Sequence, residues 1–265
     1  MKITFIGAGN MAEAIVAGIV KNKMVAPADI FVTDISHARL THFMMKYDVS
    51  TSDDNGYPAS KSDVVVLAVK PQIFPEVWEE IEDSLKPDAL VVSIMAGIPS
   101  SKIEGGKPVR VVRVMPNTPS LVGEGAAGIA AGEFATKGDL KIAEKLMGAV
   151  GAAVVVKEEE IDAVTALSGS GPAYVFYLLE SMLEAAGQMG LEDGVSRELA
   201  LATVIGAAKL MQETGEEADV LRKKVTSKGG TTAAALDTME ARGVKDSIVA
   251  ALFAAQARSR ELANG

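Results

Sequence analysis

Two kinds of glycine string in this chain have the residue types and spacing to do chemistry. The first, Gly7-Ala8-Gly9-Asn10-Met11-Ala12, is a G-x-G-x-x-A that follows the run Ile3-Thr4-Phe5-Ile6 and opens a helical pattern over 11–21. Alone such a string is weak, but between a strand and a helix it is the arrangement a pyrophosphate requires. Gly7 permits the tight turn, Gly9 lets the backbone approach the phosphates, and Ala12 keeps helix and sheet close. The helix N-terminus then presents its free N–H groups. Ile6, Gly7, Ala8, Gly9, Asn10 and Met11 are therefore expected to line a dinucleotide. The second kind occurs twice, as Ser168-Gly169-Ser170-Gly171 before Pro172 and as Gly229-Gly230-Thr231-Thr232. Each puts hydroxyls and N–H groups at the start of a helical pattern, where a carboxylate is held. A third segment, Met115-Pro116-Asn117-Thr118-Pro119, follows an expected strand and should face the same mouth of the sheet.

Other residues are placed to meet a dinucleotide. Asp34 ends the second expected strand, where an acid takes a ribose 2′-hydroxyl and repels a 2′-phosphate, which favours NAD. Ser36, His37 and Arg39 follow at once, and a hydroxyl and a cation there suit a 2′-phosphate. The signal is split. Ala68-Val69-Lys70-Pro71 and Met95-Ala96-Gly97 end two further strands at their carboxyl ends, where open α/β sheets bind ligands. Lys70 is either a surface lysine or a cation for the cofactor. Asn55 is either a turn residue or a donor to the adenosine side.

What is missing constrains the reaction. Among 265 residues there is no cysteine and there are two histidines, His37 and His42. Disulfides, thiolate catalysis and Cys-ligated zinc are thereby excluded, and little is left for a His-based metal site or triad. No metal is expected. Neither substrate-side glycine string contains an acid or a histidine. A ketone reduction would want a proton donor for the developing alkoxide. An imine that binds already protonated is different: hydride transfer neutralises it to an amine, and a hydroxyl such as that of Thr232 suffices to orient it.

The elements that must position these groups can be read from the apolar pattern. Strands are expected at 3–6, 30–33, 64–69, 90–94, 109–114, 128–131 and 153–156, and helices at 11–21, 37–47 and 74–85. Continuous apolar runs such as Val64-Val65-Val66-Leu67 suit strands covered on both faces, and the alternation argues for a parallel, doubly wound sheet. Beyond residue 160 only helical patterns follow, at 173–189, 196–214, 217–225, 231–241 and 245–262. The acidic run Lys157-Glu158-Glu159-Glu160 marks the expected division into a dinucleotide-binding domain, 1–158, and a helical domain, 159–265. Residues 199–208 are uncharged for nearly three turns and should be buried nearly all round. So small a domain offers few such positions, which points to a second copy completing its core.

Lys plus Arg is 26 against 35 for Asp plus Glu, a net charge of −9, which makes nucleic acid an unlikely ligand. The N-terminus runs into glycines rather than a long apolar region, and the most apolar helix candidate, 174–189, carries Glu180 and Glu184. Neither a signal peptide nor a membrane span is expected, and the cytoplasm is the default location.

Taken together the motifs resemble pyrroline-5-carboxylate reductase, over essentially the whole chain. The carriers are the string from Phe5 to Ala12, Ala68 to Gln72, Val112 to Pro119, Ala166 to Tyr174 and Ser227 to Thr232. The resemblance implies a Rossmann-type N-terminal domain and a helical C-terminal domain that interlocks with its mate in a homodimer, with five dimers associating into a decamer. It implies reduction of 1-pyrroline-5-carboxylate to L-proline by NADPH or NADH. Ile6 to Met11, Asp34, Asn55, Ala68 to Pro71 and Met95 to Gly97 would then line the cofactor. Ser168 to Gly171 and Gly230 to Thr232 would hold the substrate, across the dimer interface in part, Thr232 bonding its nitrogen and Glu158 stabilising the ring cation. Two departures matter: Lys228 stands where the family usually has Pro, and Asp34 where NADPH-preferring members have a small or basic residue.

Other assignments fit less well. A β-hydroxyacid dehydrogenase carries a catalytic lysine four residues after the last glycine of its helical-domain motif, and that position here is Val175. A non-enzymatic dinucleotide sensor would gain nothing from the polar glycine turns. A methyltransferase turn does not usually continue as Asn-Met-Ala into a helix.

Overall fold

The computed structural model describes residues 1–264. Its strands are β1 (Ile3–Ile6), β2 (Ile30–Thr33), β3 (Ser50–Ser52), β4 (Val64–Leu67), β5 (Leu90–Ser93), β6 (Arg110–Met115), β7 (Gly125–Ala131) and β8 (Gly151–Val155). Helices α1 (Asn10–Lys21), α2 (His37–Tyr47), α3 (Gly56–Lys61), α4 (Phe74–Ile81), α5 (Ser100–Glu104), α6 (Lys137–Gly148) and α7 (Ile161–Val164) alternate with or follow them. The described residues beyond these form helices α8 (Gly171–Gln188), α9 (Asp193–Thr214), α10 (Ala218–Lys224), α11 (Thr231–Ala241) and α12 (Val244–Asn264) with their connecting turns. No helix among the described residues is long and apolar enough to cross a membrane.

All strands join one sheet in the order β3-β2-β1-β4-β5-β6-β7-β8. Every pairing is parallel except β6 with β7, which is antiparallel. The order reverses between β1 and β4, and at such a switch point a crevice opens outside the strands' carboxyl ends. Successive strand residues feed opposite faces. Ile3 and Phe5 of β1 and Val64 and Val66 of β4 pack with Ile15, Ile19 and Phe43 on one side. Ile6, Val65 and Leu67 pack with Phe74, Trp78, Ile81 and Ile103 on the other. The sheet is thus covered on both faces, as its continuous apolar runs require.

Several features depart from the expectations above, among them the antiparallel pairing of β6 with β7 and the short helices α3 and α5. β3 is a short polar edge strand, Ser50-Thr51-Ser52, with no apolar period to announce it. The expected helix over 74–85 ends as α-helix at Ile81 and tightens into a 3-10 turn at Glu82–Ser84. Helix α6 was not expected, although Thr136 and Asp139 form a capping box at its start, each side chain taking the other's backbone N–H.

The chain forms two compact units, one of Met1–Pro172 with the chain from Ala255 onward, the other Ala173–Ala254. The unit that holds the sheet therefore runs past the acidic run at 157–160. In the second unit Ala186, Ser196 and Ala200 are the buried residues, while Phe176, Tyr177, Leu199, Leu201, Ile205 and Ile248 stand exposed. Helix α9 is accordingly not buried all round within one chain. Exposed apolar side chains in that number mark a surface for contact with another molecule.

One side chain ties the first two helices of the sheet unit together. Glu13, in the first turn of α1, accepts hydrogen bonds from Arg39 (2.7 Å), His42 (2.7 Å), Lys46 (3.0 Å) and Tyr47 (2.9 Å) of α2. Burial pushes its carboxyl up, but the bonds from His42, Arg39, Lys46 and Tyr47 outweigh that and hold it well below the usual carboxylate range. A depressed folded-state value means that the unfolded chain takes up the proton first. The stabilisation is therefore full above pH 4.5, the ordinary value of the group, and is lost as pH falls toward the folded value. Glu13→Gln should lower unfolding free energy by about 2 kcal/mol at pH 7, the scale of lost hydrogen bonds to a charged group. In urea titrations the gap between wild type and variant should shrink below pH 4.5; a gap that is constant with pH would disprove it.

Candidate active site

The glycine turn lies where the strand order reverses. Gly7 has φ +101°, and a Cβ on it would lie 2.7 Å from the carbonyl oxygen of Ala68 at the end of β4. Only glycine satisfies both demands. Gly9 caps α1 and offers no side chain to its N-terminus. No atom lies within 4 Å of where a Cβ on Gly9 would stand. An uncapped twelve-residue helix behind an open turn fits a pyrophosphate.

Charged side chains hold the turn in shape. The N–H of Ala8 donates to Oδ2 of Asp34 (2.7 Å), and its carbonyl accepts from Nε of Arg39 (2.7 Å). Asp34 also takes the N–H of Ser36 on Oδ1 (2.8 Å), and the Ser36 hydroxyl accepts from the N–H of Arg39 (3.4 Å) as the cap of α2. Arg39 is fixed in turn by Glu13 and lies over the ring of Phe43, 5.3 Å from its centre. By its place after Asp34, Arg39 is a candidate cation for a 2′-phosphate. The structure instead engages it with the turn and with Glu13. It leaves Asp34 as a carboxylate at the end of β2, beside the Gly-rich turn.

The remaining cofactor-side residues share the carboxyl edge of the sheet. Ile6 is buried at the end of β1, and Ala68 to Pro71 follow β4, with Lys70 exposed. The side chain of Met95 is buried in the core below α4, so it offers the site its backbone. Ala96 is exposed, and Gly97 turns with φ +74°. Asn55 accepts from the hydroxyl of Thr33 and donates to Glu80 (2.7 Å), so both ends of its amide brace protein groups.

On the substrate side, Thr165–Gly169 form a single π-helical turn closed by a bond from the N–H of Ser170 to the carbonyl of Thr165 (2.8 Å). Ser168, Gly169, Ser170 and Gly171 lie on this turn and at the start of α8. Such wide turns recur at functional sites. Glu158, expected beside a ring cation, pairs instead with Arg113 of β6 (3.0 Å) and accepts the N–H of Ser100 (3.1 Å). Its other oxygen is buried without a hydrogen-bond partner, as is Oε1 of Glu104 nearby. Burial pushes the Glu104 carboxyl up against two backbone donors, and the charges of Glu133 and Glu158 push it further. Glu158 thus anchors the frame between β6 and α5. In the helical unit Gly230 caps α11, its own N–H donating to the carbonyl of Ser227 (3.1 Å), and Thr231 and Thr232 form the first turn. Lys228 lies exposed two residues before that cap.

Glu13 and Arg113 stand outside the site residues expected from the motifs. The spacing of Arg39, His42 and Lys46 along one helix face is a stripe of cations that demands an acid opposite, and it could have led to Glu13.

A family model described as pyrroline-5-carboxylate reductase dimerisation matches residues 158–262, and one described as NADP oxidoreductase, coenzyme F420-dependent, matches residues 2–97. A pyrroline-5-carboxylate reductase of Methanosarcina acetivorans is 41% identical over 263 residues, 98% of this chain and 97% of the relative. The chain belongs to the pyrroline-5-carboxylate reductase family. A solved pyrroline-5-carboxylate reductase of Coxiella burnetii superimposes with a TM-score of 0.93 at 44% identity, over 98% of both chains. A Plasmodium falciparum pyrroline carboxylate reductase, solved with NADP bound, does so with a TM-score of 0.89 at 30% identity, over 99% of this chain and 98% of that one.

Within a reductase of this family Asp34 should discriminate between the two dinucleotides. Asp34→Ser is expected to raise the ratio of kcat/KM for NADPH over NADH at least about tenfold, a difference of about 1.4 kcal/mol. Side-by-side titration of both dinucleotides measures it, and an unchanged ratio would remove Asp34 from the ribose site.

Proposed function

We propose that this chain reduces 1-pyrroline-5-carboxylate to L-proline, the last step of proline biosynthesis, with NADPH as hydride donor and NADH accepted beside it. One observation carries the reading: the 41% identity to a reductase of that name over 98% of the chain. The site's chemistry agrees with it, because the glycine turns offer N–H groups and hydroxyls and no strong acid.

Gly7 to Met11 hold the pyrophosphate at the start of α1, with Asp34 and Asn55 toward the adenosine and Ala68 to Pro71 and Met95 to Gly97 along the nicotinamide half. When bound, the dihydronicotinamide supplies a hydride to the carbon of the C=N bond. The Ser168–Gly171 turn takes the substrate carboxylate, together with Gly230 and Thr231, in part across the dimer interface. Thr232 accepts the N–H of the protonated ring nitrogen through its hydroxyl oxygen and so fixes which face of the ring is presented. The π pair of the C=N bond settles on a nitrogen that already carries its proton, so no side chain has to deliver one. Orientation, rather than acid catalysis, is what these residues provide.

The functional division falls between a dinucleotide domain, 1–158, and a dimerisation and substrate domain, 159–265. The dimerisation model over 158–262 and the exposed apolar face of α8 and α9 support an oligomer. In this reading the helical domains of two chains interlock as a homodimer, five dimers form a decamer, and the enzyme works in the cytoplasm.

Purified protein should oxidise NADPH or NADH with pyrroline-5-carboxylate and not with 2-keto or 3-keto acids. Absence of turnover with the imine would defeat the assignment. Thr232→Ala should lower kcat/KM for the imine at least about tenfold, the scale of one hydrogen bond to a charged group. An unaltered value would take Thr232 out of the site.

A further inference from the structure

Asn117 lies outside the residues assigned above to cofactor or substrate, yet it is buried at 8% exposure and both ends of its amide are engaged. Its Nδ2 donates to the carbonyl of Ser168 (3.0 Å), and its Oδ1 accepts the N–H of Ala126 in β7 (2.8 Å). The first bond ends on the π-helical turn Thr165–Gly169, the second on the sheet. The ordinary helical partner of the Ser168 carbonyl would be the N–H of residue 172, which is a proline and has none, so that carbonyl needs another donor. Two residues earlier, Met115 makes the other half of the contact. A Cβ on Gly169 would stand 2.7 Å from Cε of Met115, so the turn seats closely against the Met115 side chain at the end of β6. The loop after β6 is itself held to β7, since the N–H of Ser120 donates to the carbonyl of Asn117 (3.2 Å) and Ser120 packs on Gly125.

We infer that Asn117 is a positioning residue for substrate recognition: by holding the carbonyl of Ser168 it fixes the Ser168–Gly171 turn, and with it the direction of the first N–H groups of α8, and so determines affinity for the substrate carboxylate. The inference rests on the proposed role of that turn. Asn117 touches no reacting atom. It acts by removing the freedom that Gly169 and Gly171 would otherwise give the turn. This also accounts for the two motifs, Met115 to Pro119 and Ser168 to Gly171, occurring in one chain, for the first is the bracket that holds the second. Backbone donors recognise an anion well only when their directions are set before it arrives.

Asn117→Asp tests this, because the carboxylate keeps an acceptor for the N–H of Ala126 and turns an oxygen, in place of the donor, toward the carbonyl of Ser168. Asn117→Ala serves as a second variant should the first not fold. Steady-state kinetics with pyrroline-5-carboxylate, dinucleotide titration by fluorescence, and competitive inhibition by L-proline and L-prolinamide are measured on the whole enzyme. The expected result is a KM for the imine at least about tenfold higher, a dinucleotide Kd changed less than about twofold, and a smaller preference for L-proline over L-prolinamide, which lacks the carboxylate. An unchanged imine KM and unchanged preference in a variant, with wild type discriminating between the two inhibitors, would overturn the inference alone. So would imine and dinucleotide affinities falling together, the mark of a general structural defect. A wild-type enzyme that does not distinguish L-proline from L-prolinamide would overturn the role of the turn, and the inference with it.

Discussion

The peptide of Ala8 is held from both sides, its N–H by the carboxylate of Asp34 and its carbonyl by the guanidinium of Arg39. Much of the cofactor half follows from that grip. Glycine on either side gives the turn the freedom to bend under β4, and the same freedom would let it collapse or flap. Asp34 comes from the end of β2 and Arg39 from α2, so the turn between β1 and α1 is tied to the neighbouring strand–helix unit. Arg39 is secured by Glu13, which sits on the helix that the turn begins, and the circuit closes on itself. The need for it is electrostatic. A chain with a net charge of −9 that must hold a dinucleotide and a carboxylate has few spare cations for the purpose. It relies on oriented backbone N–H groups, whose value depends on their being fixed in direction before the ligand arrives.

The same principle recurs on the substrate side with different parts. There the turn is π-helical, its brace is Asn117, and Gly169 lets it lie close against the side chain of Met115. The pair Arg113–Glu158 fastens the segment leading into that turn to β6 and to the start of α5. A pair as enclosed as this costs desolvation, and its return is a fixed geometry more than a gain in stability. An imine that enters protonated asks its enzyme for placement and nothing else, which is why a site with no histidine or cysteine suffices.

Much of this was legible in the sequence because it was carried by local pattern. The run Val64-Val65-Val66-Leu67 could only be a strand covered on both faces, and Gly7-Ala8-Gly9 between strand and helix could only be a tight turn at a helix start. What stayed hidden depends on contacts between distant segments. Glu158 was legible as an acid near a domain boundary, but its partner Arg113 is 45 residues away along the chain. Arg39 read as a cation for phosphate because nothing local showed that Glu13 and Ala8 would claim it. β3 escaped because an edge strand of three polar residues has no apolar face to reveal it. Helix α6 did carry a readable signal, Thr136 and Asp139 at capping-box spacing.

The central claim is hydride transfer to the carbon of a C=N bond held by backbone donors, and isotope labelling tests it most directly. The reaction is run in ordinary water with pyrroline-5-carboxylate and a dihydronicotinamide dinucleotide deuterated at the transferring position of nicotinamide C4, and the L-proline formed is examined by NMR. One deuterium at C5 of proline, at a single face and without loss to solvent, is the predicted result. Proline lacking the label, or carrying it at both faces of C5, would contradict an oriented hydride transfer.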